Sequence, residues 1–277
     1  MDKFIFAEKE KIHVYSYGEG PVTIVFLSGS GVLFPQLEYK SFQEALSGIC
    51  RVVGIEKPGY GYSDVSGKDR TVDVTVGEYR CVLRELGITE PVVLAAHSMG
   101  FLEALYWGQR YPSEILGILG VDPATPQCYQ DFNLDNAVTG LRELSGNEEL
   151  RKNSAGALIS QLLQENLILP EEAEHYELLA VQNLANQNWI SEAVNIGDTL
   201  AQIEAEDPYL QLPMLFFISN GEGTTLEKDS WISHATQYLG KLKCSQYGLF
   251  DFPHNLYKYA YKEMAGQAGE FIVKYIC

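Results

Sequence analysis

The feature that most restricts the fold is one unbroken apolar run, Val92-Val93-Leu94-Ala95-Ala96, opened by Pro91 and followed by His97-Ser98-Met99-Gly100. A strand with one wet face alternates apolar and polar residues; this run does not, as expected of a strand buried on both faces. Directly after it, Gly100 to Arg110 reads as a helix that ends at Tyr111-Pro112. A strand covered on both faces needs a sheet neighbour at each edge and a helical layer above and below. The flanking sequence supplies both. Lys11 to Tyr17, Val22 to Leu27, Arg51 to Ile55 and Ile115 to Val121 are β-rich or apolar runs, punctuated by turn clusters such as Gly18-Glu19-Gly20-Pro21. Phe42 to Leu46 falls in a short helix. Between Val74 and Leu86, Val76, Tyr79, Val82, Leu83 and Leu86 recur at helical spacing, and Gly87 stops the run. This βαβα rhythm predicts an α/β domain with a mostly parallel central sheet flanked by helices.

The middle of the chain changes character. From Thr125 to Leu212 there is no convincing strand, only helical stretches such as the Leu158, Leu162, Leu163 stripe and the Tyr176, Leu179, Ala180, Leu184 stripe. Sheet character returns at Met214 to Ser219 and near Lys243 to Tyr247, and Tyr259 to Tyr275 makes a closing helix. The expected organisation is therefore a core of residues 1–124 and 213–277 interrupted by an all-helical cap at 125–212. A length of 277 residues suits one α/β domain with such an insertion.

Charge and cysteine usage narrow the partners. The formal net charge is −17, which repels a nucleic-acid backbone or an anionic membrane surface. The insertion holds much of the acid, facing only Arg142, Arg151 and Lys152. Cys50, Cys81, Cys128, Cys244 and Cys277 are scattered, without the clustered spacing of a disulfide framework or a zinc site. No apolar run approaches the ~18 residues of a membrane span, and Met1-Asp2-Lys3-Phe4 leads into charged residues rather than a signal-peptide core. The expectation is a cytoplasmic protein with reduced thiols that binds neither nucleic acid nor membrane; its oligomeric state is left open. No phosphate loop, dinucleotide fingerprint or metal-ligand spacing occurs, so no cofactor or metal is expected.

Chemistry concentrates at Ala96-His97-Ser98-Met99-Gly100, at the junction of the buried strand and its helix. A sharp turn there lifts the Ser98 hydroxyl above the sheet edge and aims the Met99 backbone N–H at a developing oxyanion. The turn needs small residues beside the serine, and Ala96 and Gly100 meet that need, with Ala in the place of the first Gly of Gly-x-Ser-x-Gly. A serine nucleophile requires a base. His97 is predicted to pack on the far side of the turn. His13 lies in an early strand, His175 in the cap and His234 on a surface helix. His254 follows the last strand, in Phe250-Asp251-Phe252-Pro253-His254-Asn255, where a loop arrives at the carboxyl edge beside Ser98.

With the turn at Ser98, the late His254 and the helical insertion, the chain resembles the α/β-hydrolase superfamily over nearly its full length. Gly59-Tyr60-Gly61-Tyr62-Ser63-Asp64 is similar to that family's loop after the fourth strand. Ser28-Gly29-Ser30-Gly31 stands in the place of its His-Gly-rich loop after the third, with Ser28 where histidine is common. The resemblance implies that the Ser30 N–H joins that of Met99 in an oxyanion hole. It also implies an acid behind His254, at one of two places. After the seventh strand, Ser219-Asn220-Gly221-Glu222-Gly223-Thr224 has threonine where aspartate is usual, with Glu222 nearby. At the end of the sixth, Asp122 in Val121-Asp122-Pro123 resembles the placement in lipases and haloalkane dehalogenases. Asp122 is preferred and Glu222 stays open. The implied activity is a serine hydrolase acting on a small to medium carboxylic ester or related acyl substrate. An aminopeptidase of the proline-iminopeptidase type, whose acidic cap would hold an ammonium group, is the alternative. A non-catalytic member that binds a small ligand is the other. Tyr129, Phe132, Tyr176 and Trp189 are candidate cap side chains for an acyl pocket, and periodicity does not decide which of them point inward.

Overall fold

The computed structural model describes residues 1–277. In chain order the elements are β1 (Asp2–Ala7), β2 (Glu10–Tyr17), β3 (Thr23–Leu27), α1 (Pro35–Glu38), α2 (Lys40–Leu46), β4 (Arg51–Glu56), α3 (Val72–Glu85), β5 (Val92–His97) and α4 (Gly100–Arg110). They continue with β6 (Ile115–Val121), α5 (Leu134–Gly146), α6 (Glu148–Gln164), α7 (Ala173–Asn183), α8 (Gln187–Glu204), β7 (Met214–Ile218), α9 (Lys228–Leu239), β8 (Ser245–Leu249) and α10 (Tyr261–Tyr275). The eight strands form one sheet in the order β1-β2-β4-β3-β5-β6-β7-β8. Pairing is antiparallel for β1 with β2 and β2 with β4, and parallel from there to β8.

The unbroken apolar strands sit at the centre because each face is covered. Along β5, Val92, Leu94 and Ala96 pack into a core with α3, α4 and α9, while Val93 and Ala95 point into a second core with α2 and α10. β7 divides the same way, with Phe216 and Ile218 on one face and Leu215 and Phe217 on the other. Between β6 and β7 the chain forms α5 to α8 and no strand. Asn186 starts α8 by accepting the backbone N–H groups of Asn188 and Trp189, the usual stabilisation of orphan donors at a helix start. A third core joins α6, α7 and α8 to the loops after β3 and β4, with Leu33, Phe34 and Tyr60 packed against Ile159, Tyr176 and Trp189.

The departures from the sequence reading lie at the two edges of the sheet. β1 escapes that reading because it alternates, with Phe4 and Phe6 turned outward and only Ile5 and Ala7 buried. β8 runs two residues later than Lys243 to Tyr247. It pairs on one side only and has no fully buried residue, so its apolar pattern is weak. No helix is long and apolar enough to cross a membrane.

Candidate active site

Two neighbouring strands end in the same unusual way. β5 is followed by Ser98 at φ 51° and β6 by Asp122 at φ 47°, both in the left-handed region that non-glycine residues avoid. Such positions cost about 1–3 kcal/mol each and persist only where the surroundings over-determine them. Here the register supplies that constraint. His97 pairs with Val121, so the two turns leave the sheet side by side. The Ser98 N–H donates to the Val121 carbonyl, the Asp122 N–H to the Phe217 carbonyl, and the Ala124 N–H to the Ser98 carbonyl. A side chain at Gly100 would stand 2.8 Å from the Leu27 carbonyl oxygen, so α4 can approach β3 this closely only with glycine there.

The Asp122 side chain is fully buried, yet each oxygen is occupied. Oδ1 accepts the Ser219 backbone N–H at 2.7 Å and the Trp231 indole N–H at 2.8 Å; Oδ2 lies 2.5 Å from His254 Nδ1. A carboxylate can only accept here, so the proton of the imidazole sits on Nδ1 and leaves Nε2 with a lone pair. The His254 backbone is held as well, by donation of its N–H to the Glu222 carbonyl at 2.7 Å. The Trp231 ring stands edge-on to the imidazole with centroids 5.4 Å apart. The Glu222 carboxylate makes no hydrogen bond and faces solvent. Of the two acids open to the sequence reading, it is Asp122 that contacts His254.

Ser98 and His254 line one pocket of about 260 Å³, and no hydrogen bond joins them in this structure. Ser30 and Met99 also line it, and neither backbone N–H donates within the protein. Apart from His254, no ionisable group other than a thiol and a phenol borders the cavity. The thiol is Cys128, and burial pushes it up to about 11, so it stays protonated at neutral pH and does not compete as nucleophile. Of the four cap candidates, Tyr129 and Phe132 line the pocket. Tyr176 and Trp189 do not; they pack into the core that joins α6–α8 to the loops after β3 and β4. Helical spacing reveals that a face is buried but not what it is buried against. Three roomier clefts, one beside His13, one against β8 and one between Arg80 and Trp107, contain no serine turn of this kind. No group of three His, Cys, Asp or Glu side chains is placed to hold a metal ion.

Trp231 and Ser219 are not legible from the sequence. Their role depends on α9 and the end of β7 reaching a carboxylate more than ninety positions earlier in the chain. No local pattern signals that. His97 is buried at 4 % exposure, as expected of a packed residue, but it is also hydrogen-bonded at both ring nitrogens.

A family profile for the alpha/beta hydrolase fold matches residues 27–226. Among curated proteins, the uncharacterized protein YbdG of Bacillus subtilis is 32% identical over 181 residues, covering 64% of this chain and 56% of that protein. A second uncharacterized protein of the same organism, YqjL, is 28% identical over 114 residues, covering 40% and 43%. The chain spans about half the length of these curated relatives. Among solved structures, an esterase from Thermogutta terrifontis superimposes with a TM-score of 0.72 at 16% identity, covering 100% of both chains. The enol-lactonase from Burkholderia xenovorans LB400 gives 0.73 at 15% identity, with 98% and 99% covered. A Vigna radiata epoxide hydrolase mutant gives 0.75 at 15% identity, with 99% and 98% covered. At such identities the likeness speaks to the fold.

Proposed function

We propose that this chain, which belongs to the alpha/beta hydrolase family, is a serine hydrolase that cleaves small to medium carboxylic esters. The observation that carries the reading is the 2.5 Å contact between His254 Nδ1 and the buried Asp122 carboxylate, beside a serine held at positive φ on the same pocket. Asp122 orients the imidazole and stabilises its charged form. His254 Nε2 takes the Ser98 proton as Oγ attacks the substrate carbonyl carbon. The oxyanion is held by the unpartnered N–H groups of Ser30 and Met99. When the tetrahedral species collapses, the alkoxide leaves with the proton from His254, and the acyl group stays on Ser98. Water, deprotonated by the same imidazole, attacks the acyl-enzyme and releases the acid.

The pocket favours an uncharged acyl group. Residues 125–212 act as a cap that closes it with Tyr129, Phe132, Leu141 and Ile196, none of which carries a formal charge. Its volume lies just below the roughly 300 Å³ at which drug-sized ligand sites begin, which suits short acyl chains. An ammonium group would meet no carboxylate on this lining, which weighs against an aminopeptidase.

The test uses the full chain with a fluorophosphonate probe, followed by parallel assays on aryl esters of increasing acyl length and on aminoacyl arylamides. Wild type is expected to be labelled, Ser98→Ala to lose labelling and turnover, and short uncharged esters to be cleaved fastest. Faster cleavage of aminoacyl arylamides overturns the ester assignment. A folded wild type that is neither labelled nor active overturns the enzyme assignment in favour of ligand binding.

A further inference from the structure

We propose that His97, the residue immediately before the nucleophile, is a positioning residue whose hydrogen bonds tie the oxyanion loop and the base to the serine turn. The proposal rests on the hydrolase reading above and adds to it a link between three loops. Gly29-Ser30 follows β3, Ser98 follows β5 and His254 follows β8; the working geometry requires all three to agree to within a fraction of an ångström. The sheet sets them only approximately, because each of these residues lies past the end of its strand.

His97 touches all three. It is covalently bonded to Ser98. Its Nδ1 lies 2.9 Å from the Tyr39 hydroxyl, and that hydroxyl accepts the Gly29 backbone N–H at 3.3 Å. Its Nε2 lies 3.4 Å from the His254 carbonyl oxygen, a long contact that still closes the connection. The directions are determined by chemistry. The His254 carbonyl can only accept, so its contact calls for the ring proton on Nε2; Nδ1 then accepts from the Tyr39 hydroxyl, whose oxygen in turn accepts the Gly29 N–H. The series reads Gly29 N–H to Tyr39 O, Tyr39 O–H to His97 Nδ1, and His97 Nε2–H to the His254 carbonyl.

Packing leaves that ring one place to be. Tyr257 stands edge-on to it with centroids 5.0 Å apart. A side chain at Gly29 would be 2.7 Å from His97 Nδ1 and 2.9 Å from Ser98 Cβ, so the glycine backbone presses directly on both. Neutrality matters because the His254 ring, 4.7 Å away between centroids, becomes positive when it takes the serine proton. Burial drives the His97 pKa well below the ordinary histidine value, and the His254 charge pushes it the same way. A neutral donor supports the base without repelling its charged form.

The experiment compares wild type with Tyr39→Phe, which deletes one oxygen, and with His97→Leu and His97→Gln, of which only Gln restores an N–H toward the His254 carbonyl. Each is assayed on the best aryl ester, and thermal unfolding is recorded in parallel. Expected are a fall in kcat of about 10-fold for Tyr39→Phe and about 100-fold for His97→Leu, with KM within about 2-fold, and substantial recovery in His97→Gln. Histidine ¹⁵N NMR of wild type, which needs no turnover, should show His97 as the neutral Nε2–H tautomer from pH 5 to 8, and Tyr39→Phe should disturb it. The proposal is overturned if folded Tyr39→Phe and His97→Leu keep wild-type kcat. It is equally overturned if His97 titrates in that range or carries its proton on Nδ1. An inactive, unlabelled wild type would instead remove the hydrolase reading, and the positioning role with it.

Discussion

In the proposed mechanism, Asp122 is the residue on which most depends after the proposed nucleophile Ser98 and base His254. Its two oxygens receive three donors, from Ser219, Trp231 and His254, so a negative charge is tolerated with no exposure to water. Asp122→Asn keeps the volume but turns one oxygen into an amide that donates. The imidazole is then driven toward the wrong tautomer, with its lone pair facing the new amide rather than Ser98. A fall in kcat of about 10⁴-fold is expected, with thermal stability changing little by comparison. Glu222→Gln should leave kcat unchanged, because that side chain contacts neither ring nor pocket. Steady-state kinetics on one ester with both variants decides between them. Equal losses would return the acid to the loop after β7.

Among elements, the joint of α8 with α4 and the loop after β4 stands apart, because it is made by buried charge. Lys57 has no exposure, and its ammonium lies 2.9 Å from Glu103 Oε1 and 3.2 Å from Glu192 Oε1. Tyr79 and Tyr60 donate to the remaining oxygens of the two carboxylates. Burial disfavours the lysine charge, yet the two carboxylates hold its pKa above the ordinary value. With two acids for one base, burial and the neighbouring Glu103 push Glu192 up. Removing the ammonium strands both carboxylates away from water. Lys57→Met is expected to lower unfolding free energy by about 3–5 kcal/mol. Lys57→Met combined with Glu103→Gln and Glu192→Gln should lose distinctly less. Urea titration of both measures this, and equal losses would show that packing rather than charge holds the joint.

For the molecule as a whole, one histidine ties the edge strand β1 to the end of β4 inside the sheet. His13 Nδ1 meets Glu56 at 2.8 Å and its Nε2 meets Asp2 at 2.7 Å, so both nitrogens face carboxylates, an arrangement that favours the imidazolium form. Burial opposes that charge, but the bonds and charges of Glu56 and Asp2 outweigh it, and the folded-state pKa lies above 6.5. Because the folded value is raised, the stabilisation is complete below the unfolded value and is lost as pH climbs through the folded one. The stability gap between wild type and His13→Gln should therefore narrow from pH 6.5 toward pH 9. Thermal melts across that range check it, and a gap that widens with pH would reverse the assignment.

The sequence by itself determined the elements whose signal is local. The doubly buried strand at Val92 to Ala96, the small residues around Ser98 and the helix from Gly100 are set by neighbours in the chain, so they were readable without a fold. The position of His254 followed from order alone, since a loop after the last strand of a parallel sheet returns to the carboxyl edge. What it left open was every choice between residues equally well placed in sequence. Asp122 and Glu222 both end a strand near the site. The structure brings Asp122 to His254 because β5 and β6 pair His97 with Val121, and because α9 brings Trp231 beneath the carboxylate. Likewise Tyr176 and Trp189 look as fit for the pocket as Tyr129 and Phe132 until the packing of α6 to α8 assigns them elsewhere. Periodicity reports that a side chain is buried; only the tertiary contacts decide beside what, because burial depends on residues brought together from far apart in the chain.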